Sequence, residues 1–107
     1  MDKVFLDKYV PRVWKLYLDQ AEEAMKEGAL SKKVKELIGT AISISMHCEP
    51  CVKIHLRRAI KSGASAQEIS EMVGVAIMLC GGTAEVWARK IVETEIKNLG
   101  RKNVASS

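Results

Sequence analysis

A chain of 107 residues, 48% hydrophobic and 28% charged with only two prolines, has the make-up of one small globular domain, and its three cysteines, an odd number, do not form a secreted disulfide framework. Its apolar runs are too short to cross a bilayer, and Met1-Asp2-Lys3 leads into a charged amphipathic stretch and not a signal peptide, so a cytoplasmic protein with no membrane role is expected. The net charge of +4 is spread along the chain among acids, apart from Lys32-Lys33, Arg57-Arg58 and Arg101-Lys102, which reads as solvated helix faces and not a nucleic-acid surface.

Residues 1–10 read as a short helix or an arm. Pro11 fits the first turn of a helix carrying Val13, Trp14, Tyr17, Ala21, Ala24 and Met25 on one face, and Gly28 ends it. Ser31 is an N-cap for a second helix, with Val34, Leu37, Ile38, Ala41 and Ile42 at helical spacing. Pro50 cannot sit deep in a helix, because it lacks an N–H and its ring clashes with the preceding turn. The helix must therefore break near His47-Cys48 and restart with Pro50 in its first turn.

The third helix runs to Ser62 and stops at Gly63. Ser65-Ala66-Gln67-Glu68 is a capping box opening a fourth, with Ile69, Met72, Val73, Ala76, Ile77 and Cys80 on its apolar face. Gly81-Gly82 reads as a tight interhelix turn, and Thr83 as the cap of a fifth helix that ends at Gly100. No stretch alternates as a strand. The expectation is an all-α fold, a single small helical domain of five to six helices over residues 1–100 with a disordered tail over 101–107. Cys80 reads as core, and Trp14, Tyr17 and Trp87 as core or subunit contacts.

The chemistry is concentrated in His47-Cys48-Glu49-Pro50-Cys51-Val52-Lys53-Ile54-His55, which holds two of the three cysteines and both histidines. Cys-x-x-Cys at a helix start suits dithiol chemistry, since the spacing closes a small ring and the exposed N–H groups of the first turn favour a thiolate. Cys51 and His55, four apart, share a helix face, and Cys48 lies one turn earlier, so His55 is placed to take a thiol proton. Glu36 is the one acid in the body of the preceding helix and can orient His55 or relay a proton if the two helices fold together. By geometry either cysteine can be the attacking one. Alone, Glu36 reads as a solvated carboxylate, and the lesser readings of the cysteines are small buried hydrophobes or, with His55 and His47 or Glu36, zinc ligands. No phosphate loop, dinucleotide fingerprint or Ser-His-Asp order is present, so no cofactor is implied.

Glu36, eleven intervening residues, then Cys48-x-x-Cys51-x-x-x-His55 resembles the pattern of the AhpD-like alkylhydroperoxidases of the carboxymuconolactone decarboxylase superfamily. The resemblance spans about residues 10–99. It implies an all-helical trimer or hexamer that reduces hydroperoxides with Cys51 attacking, Cys48 resolving, and His55 and Glu36 as proton relay. It also implies an external dithiol protein as electron donor and a small hydroperoxide or disulfide as substrate. The peroxidase branch often has Ser-His between the cysteines, where this chain has Glu49-Pro50, and an acid beside the sulfurs opposes thiolate formation. Decarboxylation is not expected, since that branch typically lacks the cysteine pair. The alternative from another class is a non-catalytic oligomeric binding or scaffold protein of the same fold, holding a metal at the Cys/His cluster.

Overall fold

Helix ends in this chain are set by a few local devices, and those devices define the architecture. The structure is a computed structural model that describes residues 4–106. It contains α1 (Phe5–Tyr9), α2 (Pro11–Met25), α3 (Lys32–Ser45), α4 (Glu49–Lys61) and α5 (Ala66–Ser106), with no strand among the described residues. Pro11 opens α2, where its missing N–H costs nothing. Ser31 caps α3 by accepting from the Val34 N–H at 3.2 Å. Lys35 ties α2 to α3, donating from Nζ to the carbonyls of Ala24 at 2.9 Å and Lys26 at 2.6 Å.

The turns ending α3 and α4 follow one design. After α4 the Gly63 N–H bonds to the Ile60 carbonyl and the Ala64 N–H to that of Ala59, with Gly63 at φ 100°. After α3 the His47 N–H bonds to the Ile44 carbonyl and the Cys48 N–H to that of Ser43, with His47 at φ 55°. Both are Schellman closures, which need a left-handed residue one past the cap. Glycine takes that conformation freely; His47 takes it at roughly 1 kcal/mol.

Ser65 and Glu68 form the expected box reciprocally. The Ser65 N–H donates to Glu68 Oε1 at 2.9 Å and the Glu68 N–H to Ser65 Oγ at 3.1 Å. Lys33 Nζ lies 2.8 Å from Glu68 Oε2 and joins α3 to the start of α5. From there the structure departs from expectation. Gly81-Gly82 makes no turn and Thr83 caps nothing: α5 is one helix of 41 residues, about 60 Å long. A glycine weakens a helix by about 1 kcal/mol but keeps its N–H, and no packed atom lies within 4 Å of a Cβ built at Gly74, Gly81 or Gly82 to force a bend. The helical backbone runs through Ser106, into the segment expected as a disordered tail, and Ser107 lies outside the described residues. Unbroken, Ala66–Asn98 is long and apolar enough by length and composition to cross a membrane, which neither half is alone.

α3 packs chiefly on α4, then on α5, and touches α2 less. The interior is small and polar: Glu36, Thr40 and Ser43 are buried from α3, against only Ala59 and Ala76 among apolar side chains of the described residues. Cys80 is exposed, not core, and Tyr17 and Trp87 are exposed too. Their helical spacing marks an apolar stripe, but nothing among the described residues covers it. The radius of gyration is 21.4 Å, where a compact chain of this length has about 13 Å.

Candidate redox site

The site forms where α3 ends and α4 begins. The Schellman closure at His47 reverses the chain and leaves Cys48 extended at the N-cap of α4, followed by Glu49, Pro50 and Cys51 in the first turn. Pro50 sits where a helix tolerates it, as the sequence requires. Cys48 and Cys51 are joined by a disulfide, with their Cα atoms 5.2 Å apart. Both are half-buried at the positive end of α4, whose free N–H groups favour a thiolate once the bond is reduced. The Cys48 side chain makes no capping bond while oxidised.

One turn beyond Cys51, on the same face, His55 meets α3. Its Nδ1 lies 2.8 Å from Glu36 Oε2. Glu36 is 1% exposed, and the His55 side chain 27%. With Nδ1–H donating to the carboxylate, Nε2 remains for proton exchange. The contact needs close approach of the helices, and Gly39 provides it: a Cβ there would stand 3.2 Å from His55 Nδ1. Thr40 Oγ1 and Ser43 Oγ donate to the carbonyls of Glu36 and Gly39, both at 2.7 Å, so the buried hydroxyls of α3 are satisfied within the helix.

All four sequence candidates therefore gather at one helix pair, as two linked couples: Cys48 with Cys51, and Glu36 with His55. Two contributions escaped the sequence reading, the close approach at Gly39 and the left-handed turn at His47. Gly39 was legible as a glycine inside a helical pattern, which without a close neighbour is merely costly. His47, in the left-handed turn, belongs to a residue type enriched there. Beside the site, Ile42, Ser45, His47, Leu79, Cys80 and Trp87 line much of an open apolar groove of about 690 Å³ between α3 and α5. Among the described residues no group of three or more His, Cys, Asp or Glu is arranged to hold a metal ion.

With this geometry defined, a sequence model of the carboxymuconolactone decarboxylase family matches residues 11–94, spanning α2 to most of α5. The chain belongs to that family. A Methanobacterium thermoautotrophicum protein of known structure superimposes with a TM-score of 0.74 at 30% identity, covering 82% of this chain and 98% of its own. A carboxymuconolactone decarboxylase family protein of Legionella pneumophila, solved in its apo form, gives 0.67 at 32% identity over 82% of this chain and 79% of its own. A Thermotoga maritima family member, described with a suggested part in an antioxidative response, gives 0.63 at 27% identity over 85% and 96%. No curated protein matches the chain. The family's all-helical, AhpD-like fold is the one built here from five helices.

Proposed function

We propose that this family member is a thiol-dependent hydroperoxide reductase or disulfide oxidoreductase that cycles between a Cys48/Cys51 dithiol and the disulfide. The observation that carries the reading is the disulfide at the α4 N-terminus, one turn from a histidine held by a buried carboxylate. In the cycle His55 accepts the Cys51 proton, and the thiolate attacks the terminal oxygen of a hydroperoxide. The O–O bond breaks, the alkoxide takes the proton back from His55 and leaves as alcohol, and Cys51 becomes a sulfenic acid. Cys48 then attacks the Cys51 sulfur, expelling water and forming the disulfide. Glu36 stabilises the imidazolium between the two transfers. An external dithiol protein restores the pair, in keeping with a reducing cytoplasm.

The test is a single turnover of the reduced protein with an alkyl hydroperoxide, followed by mass spectrometry. Cys51→Ser is expected to be inert, and Cys48→Ser to react once and keep a sulfenic acid or mixed disulfide on Cys51. Oxidation retained on Cys48 in Cys51→Ser would reverse the roles. Equal inertness of the wild type and both variants would leave the non-catalytic binding protein.

The working form is proposed to be a homo-oligomer, trimer or hexamer. A folded monomer of 11.8 kDa exposes about 5,900 Å², whereas this chain exposes 8924 Å². The excess is on the order of 3,000 Å², the scale of an obligate subunit interface. It is rich in large apolar groups such as Val86, Trp87, Ile91 and Ile96. Sedimentation at micromolar concentration should show an assembly, and a monomer would overturn the proposal.

A further inference from the structure

We infer that the exposed face of α4 is the docking surface for the electron donor, and that this donor is a dithiol protein with an acidic face; the inference rests on the redox reading above. The charge is not evenly shared among the helices. α4 holds Lys53, Arg57, Arg58 and Lys61 against the single acid Glu49, so three of the chain's four net positive charges lie on the helix that carries the disulfide. Lys53 is paired with Glu49 at 3.1 Å. Arg57, Arg58 and Lys61 are exposed and pair with no carboxylate among the described residues.

Helix geometry sets Arg58 on the sulfur side, with Lys61 on its flank and Arg57 further round the exposed face. Arg58 follows Cys51 by two turns on nearly the same line, about 10 Å along the axis. Ile54, exposed, follows Cys51 by one turn, and Lys61 repeats its line two turns later. His55 and Ala59, on the other flank of the Cys51 line, are turned to α3. A partner approaching the half-buried sulfurs thus meets one apolar contact bordered by unpaired cations and by the positive end of the helix. Each favours a partner rich in carboxylates, and the same field draws its thiolate inward. A polyanion without thiols would match the charge but not the disulfide at its edge, and that decides between a nucleic acid and a redox protein.

The exchange balances without a further reactant. A donor thiolate attacks one sulfur of the Cys48–Cys51 bond, forming a mixed disulfide and releasing the other sulfur as a thiolate that takes up a proton. The donor's second thiol loses its proton and attacks the mixed disulfide, leaving the donor oxidised and both cysteines reduced. Two electrons and two protons pass to this chain.

Two synthetic dithiol peptides with one Cys-x-x-Cys core, flanked by glutamates or by lysines, test the inference. The loss of the Cys48–Cys51 disulfide is followed by alkylation and mass, and each rate is divided by the same peptide's rate on a small neutral disulfide to remove differences in thiol reactivity. At low salt the acidic peptide should be at least about tenfold faster, with the ratio approaching one near ~0.5 M salt. The combined Arg57→Ala, Arg58→Ala and Lys61→Ala variant, with helicity checked by circular dichroism, should lose most of the preference. Equal normalised rates, with dithiothreitol still reducing the disulfide, would overturn the docking surface and spare the redox reading. The same result with a duplex oligonucleotide bound through the three cations would reassign the face to nucleic acid. A disulfide that dithiothreitol cannot reduce would overturn both.

Discussion

Replacing Glu36 by glutamine probes the relay with the least disturbance of the fold. Glu36 and Thr40 are the largest fully buried side chains, so an alanine would leave a void as well as remove the acid. Glutamine fills the space and can still accept from His55 Nδ1–H, which the carboxylate meets at 2.8 Å. It loses the charge that stabilises the imidazolium formed when His55 takes the Cys51 proton. A charge-assisted hydrogen bond exceeds a neutral one by about 1–2 kcal/mol, so peroxide-dependent oxidation should slow roughly 5- to 30-fold. His55→Ala removes the base itself and should cost about two to four orders of magnitude. The two groups act as one unit, so adding Glu36→Gln to His55→Ala should cost little more. The assay is the single-turnover rate with an alkyl hydroperoxide for wild type, both single variants and the double. Independent, multiplying effects would refute the coupling, and a wild-type rate in His55→Ala would remove the relay altogether.

Other consequences follow from the same geometry. Gly39→Ala should raise helix propensity yet slow turnover roughly tenfold, because the new Cβ pushes on a ring only 3.2 Å away; turnover and far-ultraviolet circular dichroism measured together separate the two effects. His47→Gly relieves a left-handed histidine at φ 55° and should stabilise by about 0.5–1 kcal/mol net, a few degrees in thermal unfolding; an unchanged or lower midpoint would show that the side chain holds the turn. Hydrogen bonding from Lys33 and then the Ser65 N–H lowers the Glu68 pKa from 4.5 to about 2. Because the folded value lies below the unfolded one, this stabilisation is present above about pH 4.5 and disappears as pH falls through about 2. Subtracting the pH profile of Glu68→Gln from that of the wild type should isolate a loss confined to this window and diminished by salt.

The sequence discloses those parts of the fold that depend on neighbours within a turn or two. Ser31, the Ser65/Glu68 box, Gly63 and Pro50 each satisfy or forbid particular backbone bonds, and each marks a boundary where it stands in the structure. Gly81-Gly82 does not decide its own conformation: a penalty of about 1 kcal/mol per glycine is outweighed or not by whatever packs around the segment. Cys80 fails for a related reason, since a helical stripe reveals which side is apolar but not whether anything lies against it. The placement of Glu36 required more than local chemistry. A lone carboxylate on a helix reads as solvated, and only its spacing from the cysteine motif set it apart; its burial against His55 depends on Gly39, one turn away.

The buried set explains why site and stability are separable here. Between α3 and α4 the chain places small or hydrogen-bonded groups, Gly39, Thr40, Ser43 and Ala59, which allow close approach of the backbones and fix the Glu36–His55 contact within one chain. The large apolar residues are spent elsewhere, on the outward faces of α2 and α5, with Trp14 stacked on Tyr17 at 5.3 Å and Trp87 74% exposed. Among the described residues, a buried apolar set limited to two alanines supplies little of the hydrophobic free energy that must offset chain entropy. Under the proposed assembly that free energy comes from contacts between copies, so the stability of the fold depends on protomer concentration. The groups that place Glu36, His55 and the disulfide all lie on α3 and α4 of one chain, so the geometry of the folded site needs no residue from a second copy.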